Sequence, residues 1–72
     1  MADAGIDAKL RELERLEAQI LSFYSLGEGH GILANEASAK QREILDTLKG
    51  YKVFMRYEQG FPNAMPVYFI KN

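Results

Sequence analysis

The chain has 72 residues, 47% hydrophobic and 26% charged, and nine Lys+Arg against ten Asp+Glu leave a net charge of −1. A chain of that length folds as a single domain around a thin core, burying only about 60% of the surface that its unfolded form exposes, and its near-neutral balance supplies no global basic field for nucleic acid or an anionic membrane. There is no cysteine, which excludes disulfides, thiolate nucleophiles, Cys-based zinc sites and iron–sulfur clusters together and fits a reducing compartment.

The first ten residues carry Asp3 and Asp7 and alternate small with polar side chains, unlike the basic start and apolar run of a secretory signal, so a cytoplasmic location is expected. The apolar run from Met65 to Ile70 falls far short of the roughly 20 residues of a membrane-spanning helix. Turn-forming residues at Gly27 to Gly31, at Gly50 and from Gly60 to Pro66 divide the chain, residues 1–72 being one small domain, into three segments.

Ile6, Leu10, Leu13, Leu16, Ile20 and Phe23 recur at spacings of three and four, which draws one apolar stripe down a helix over 7–25. Lys9, Arg11, Glu12, Glu14, Arg15 and Glu17 occupy most of the rest, Asp7 is positioned to cap, and Asp7 and Arg11 form an acid-before-base pair four residues apart. A Gly-rich linker is expected over 26–34. Beyond it Ser38 and Gln41 have the spacing of a capping box and Gly50 follows Lys49, which predicts a second helix over 35–49. Its inner face is Ala34, Ala37, Gln41, Ile44 and Leu48, with small residues first, so the two helices should close into an antiparallel hairpin.

After Gly50 the period changes to two. Tyr51, Val53, Met55 and Tyr57 alternate with Lys52, Phe54, Arg56 and Glu58, and a loop with Gly60, Pro62 and Asn63 leads to the wholly apolar Val67, Tyr68, Phe69 and Ile70. This is a β-hairpin over 51–70, with Pro66 at the start of the second strand or on an unpaired edge, because it has no N–H to donate. The expected fold is therefore α+β, an antiparallel helical hairpin followed by a C-terminal two-stranded antiparallel β-hairpin.

Two helices cover one face of such a hairpin, and Tyr51, Val53, Met55 and Tyr57 are the natural residues for that face. Phe54 then falls among Lys52, Arg56 and Glu58 on the other face, and either Val67 and Phe69 or Tyr68 and Ile70 must join it. Two open edges add to the uncovered apolar surface, and self-association into a homodimer or higher oligomer answers both. The candidate partner-binding residues are Phe54, Arg56, Phe61, Tyr68, Ile70 and Lys52, because aromatic and Arg side chains dominate interface energetics. The expected role is that of a non-enzymatic protein–protein interaction module, an adaptor or inhibitor that binds itself and a larger macromolecule.

Two other readings have weaker support. The loop Gly27, Glu28, Gly29, His30 and Gly31 could turn backbone N–H groups toward a small anion such as a nucleotide, yet it matches neither a Walker loop nor a dinucleotide fingerprint. A helix followed by a two-stranded wing is also how winged-helix nucleic-acid-binding domains end. Residues 32–72 hold six bases and four acids, net +2, against three bases and six acids, net −3, in residues 1–31. The second helix nevertheless interleaves Lys40, Arg42 and Lys49 with Glu36, Glu43 and Asp46, a poor arrangement for docking on phosphates. His30 with Glu28 is the sole pair resembling a proton-transfer couple, and the serines sit in no nucleophile motif. No enzymatic activity, metal or cofactor is expected.

Overall fold

In a computed structural model the described residues are 4–26, 30–60 and 64–71. They form α1 (Ala4–Leu26), α2 (Gly31–Thr47), β1 (Val53–Glu58) and β2 (Met65–Ile70), in that order. The α+β fold expected from the periodicities is the one observed: a helical hairpin, then a two-stranded antiparallel sheet. The molecule is thin, with principal extents of 43 × 28 × 17 Å.

The apolar stripe of α1 is the spine of the core. Leu13 and Leu16 are fully buried, and Leu10 and Ile20 nearly so. Leu10 and Leu13 pack with Leu48 and Tyr68, flanked by Ile6, Ile44, Val53 and Ile70, while Leu16 and Ile20 pack with Ala37. The small residues Ala34 and Ala37 are the buried positions of α2, which lets the helix backbones approach closely there, while the bulkier Leu48 packs with Leu10, Leu13 and Tyr68.

Both helices begin earlier than their capping signals suggest. Asp7, expected as the N-cap of α1, lies in its first turn, where its charge suits the helix dipole and its carboxylate stands 3.9 Å from Arg11. In α2 the segment assigned to a linker is helical from Gly31, with His30 as the N-cap residue and no side-chain cap. The Ala34 amide donates to the His30 carbonyl at 3.1 Å, and the helical turn is what delivers Ala34 to the interhelical contact. Neither Asn35 nor Ser38 starts the helix. At its other end the Leu48 amide donates to Leu45 and that of Tyr51 to Leu48, a tight turn whose third residue, Gly50, takes φ +94°, the left-handed region that favours glycine.

The two strands pair with Val53 opposite Ile70, Phe54 opposite Phe69, Met55 opposite Tyr68, Arg56 opposite Val67 and Tyr57 opposite Pro66. Directly opposed residues share a face. Val53, Ile70 and Tyr68 belong to the core beside α1, so Met55, Tyr57 and Pro66 are on the helix side, and Phe54, Arg56, Val67 and Phe69 face away. The choice left open by the uniformly apolar second strand is thus resolved: Val67 and Phe69 point outward, Tyr68 and Ile70 inward.

Candidate interaction surface

Polar groups of α1 fix which edge of the hairpin is closed. Glu14 accepts a 2.9 Å hydrogen bond from the Tyr68 amide, and Arg11 donates to the Tyr68 carbonyl at 3.2 Å, the two side chains being coupled to each other at 3.4 Å. They satisfy β2 on the side away from β1, as a neighbouring strand would. Alongside, the Tyr68 hydroxyl donates to Glu17 at 3.2 Å, Gln41 of α2 donates to the same carboxylate oxygen at 3.1 Å, and Tyr57 donates to its other oxygen at 3.3 Å. Burial, and then the adjacent Glu17 charge, push the Tyr68 hydroxyl up to about 12; the same causes raise that of Tyr57. Among the described residues no buried side-chain polar atom lacks a partner.

Tyr68, one of the candidate partner contacts, is 7% exposed and packs in the chain's own core with Leu10, Leu13 and Leu48. Ile70 is half-buried against the same cluster. Arg11, Glu14 and Glu17, which lie off the apolar stripe of α1, reach across to the hairpin. Carboxylates three residues apart on one helix face, opposite a strand with no free neighbour, are the signal that could have found them.

What remains outside is a compact cluster on the far face of the sheet. Phe54 stacks on Phe69 with ring centroids 6.0 Å apart, and the Arg56 guanidinium lies 5.4 Å above the Phe69 ring while bonding Glu58 at 2.7 Å. Phe54 is 46% exposed despite the stack. Lys52 is exposed just before β1, its carbonyl accepting from the Lys71 amide and so extending the ladder by one pair. Three of the proposed contact residues, Phe54, Arg56 and Lys52, therefore gather along β1. Phe61 lies outside the described residues. Phe69 and Val67 complete the outer face.

The second opening is the free edge of β1. The Tyr68 amide and carbonyl turn toward α1, so in the antiparallel alternation those of its partner Met55 turn the opposite way, as do those of Val53 and Tyr57. Among the described residues the sheet has two strands and no segment pairs with this edge. The same alternation explains Pro66: opposite Tyr57, it occupies a position whose missing N–H would point out of the ladder. The helix layer does not reach β1 fully, since Met55 and Tyr57 are 38% and 46% exposed.

Of the candidate ligand loop, Gly27, Glu28 and Gly29 lie outside the described residues. His30 stacks on Phe23 at 6.4 Å, and Gly31 opens α2 with open space where a Cβ would be. Exposed Tyr24, Leu26, Ile32 and Leu33 flank the same connection. An open groove of about 410 Å³ between α1 and the start of β2 is lined by Ala18, Leu21, Ser22, Ser25, Met65 and Pro66, among others, and holds no ionisable side chain. Among the described residues no helix is long and apolar enough to cross a membrane. Compared with protein-family models, with curated proteins and with solved structures, the chain matches none.

Proposed function

We propose that this chain is a non-enzymatic protein–protein interaction module that associates with itself and presents the outer face of its β-hairpin to a larger partner. The observation that carries the reading is the exposed Phe54–Phe69–Arg56 cluster, an aromatic and guanidinium patch of the composition that dominates protein interfaces. Among the described residues it stands on a two-stranded sheet beside an unpaired strand edge. Protein is favoured over nucleic acid as the partner because Arg56, the cation within the aromatic cluster, is already engaged with Glu58 and the Phe69 ring.

Solution mass tests this directly. Light scattering across a concentration series should give a dimer or larger species, and Phe54→Lys should return it to the monomer with an unchanged far-ultraviolet circular dichroism spectrum. A wild-type chain that stays monomeric at millimolar concentration overturns the self-association, and a Phe54→Lys variant that associates as well as wild type removes the outer face from it.

A further inference from the structure

Resting on that reading, we infer that two copies join edge to edge through β1, antiparallel about a two-fold axis at Met55, to build a continuous four-stranded sheet in the order β2-β1-β1-β2. Backbone geometry and the charge pattern of a single strand lead to this arrangement together.

The free edge of β1 offers the amides and carbonyls of Val53, Met55 and Tyr57, as established by the ladder to β2. Two such edges meet with hydrogen bonds only when these odd-numbered residues oppose one another. That restricts the two-fold axis to registers in which it passes through a residue position rather than between two. With the axis at Met55, each Met55 faces its copy and Val53 faces Tyr57. The residues between them then fall opposite one another without mutual backbone bonds, where side chains approach most closely: Phe54 against Arg56, and Lys52 against Glu58. Every charged residue of the edge meets an aromatic ring or an opposite charge. Lys52 has no carboxylate partner among the described residues of its own chain, and this register supplies one.

Neighbouring registers lack that complementarity. Moving the axis to Phe54 sets Lys52 against Arg56, and moving it to Arg56 sets that residue against its own copy, both like-charge pairs. An axis at Tyr57 restores an Arg56–Glu58 pair but leaves only residues 56–58 of each β1 (Val53–Glu58) in the ladder, and an axis at Val53 leaves a single residue. The two-fold also places both helix layers on one face of the joined sheet. That is accommodated because the layer is centred on β2, whose Tyr68 is buried against α1, and leaves Met55 and Tyr57 uncovered. The interface is isologous and closed, so it stops at a dimer and does not propagate into a fibre. On the opposite face the Phe54–Phe69 stacks of the two copies become neighbours, which doubles the aromatic surface available to a larger partner.

The chain has no cysteine, so single replacements report the register without interference. Met55→Cys should form a disulfide-linked dimer under mild oxidation, because the axis brings that position within bridging distance of itself. Val53→Cys and Phe54→Cys should not, whereas mixing Val53→Cys with Tyr57→Cys should. Glu58→Lys should weaken the dimer at least tenfold in its dissociation constant, and adding Lys52→Glu to it should restore most of the loss. If light scattering shows a dimer while Met55→Cys fails to cross-link and the charge swap rescues nothing, this edge register is wrong and self-association uses another surface. If the wild-type mass is monomeric throughout, the interaction reading falls with it.

Discussion

Tyr68 shows how one side chain decides which way an ambiguous strand faces. All of β2 is apolar, so hydrophobicity does not distinguish its two faces; what distinguishes them is that a tyrosine has a hydroxyl to satisfy, and Glu17 with Gln41 waits on the helix side. The hydroxyl's proton is held because burial and the neighbouring carboxylate disfavour tyrosinate, raising its folded-state value from 10.0 to about 12. Unfolding returns it to the ordinary value. The neutral hydroxyl therefore stabilises the fold fully below pH 10, and that contribution is lost as the pH rises through about 12. Denaturation midpoints measured at intervals from pH 9 to 12 should fall more steeply for the wild type than for Tyr68→Phe, and the last phase of the tyrosinate absorbance titration should vanish in the variant. Parallel midpoint curves for the two proteins would show that the hydroxyl is not protected by the fold.

Among the elements, α1 and β1 are legible in the sequence and the start of α2 is not, for physical reasons. Six apolar residues at spacings of three and four leave no choice about α1, and its buried members Leu10, Leu13, Leu16 and Ile20 are those of the stripe. The first turn of α2 carries Ile32 at 74% and Leu33 at 44% exposure, so its apolar residues lie off the buried face and the turn resembles a loop around glycine. The candidate surface was half legible: alternation places Phe54, Arg56 and Lys52 together on β1, but a run of apolar residues hides that Tyr68 and Ile70 go inward, and the coupling of Arg11 and Glu14 to β2 spans more than 50 residues of chain. The two glycines that bound α2 now predict opposite effects. Gly31 is helical with open space at its Cβ position, so Gly31→Ala should stabilise by about 0.5–1 kcal/mol through improved helix propensity and a less flexible unfolded chain. Gly50 also has open space but sits at φ +94°, so Gly50→Ala should destabilise by about 1–2 kcal/mol from backbone strain alone. Urea denaturation of the pair checks both, and a shared sign for the two changes would contradict the backbone geometry described for one of them.

For the molecule as a whole, the balance is between a core that is small and a sheet that is half covered. Among the described residues eight hydrophobic side chains are buried while eleven large ones are exposed, a ratio that leaves a short chain little stability of its own and much to gain from covering what remains. If β1 pairs with a second copy, folding and association are linked, and the dimer draws the folded state forward by mass action. A hundredfold rise in protein concentration above the dissociation constant should then add on the order of 1 kcal/mol per chain, which for a domain of this size corresponds to a rise in Tm of roughly 4–8 °C. Phe54→Lys places a cation against Arg56 of the second copy while altering only an outward-facing position of the monomer, so its Tm should be independent of concentration and close to the dilute limit of the wild type. A wild-type Tm that does not move with concentration would mean that the exposed edge and the Phe54–Phe69 face contribute nothing to holding this fold together.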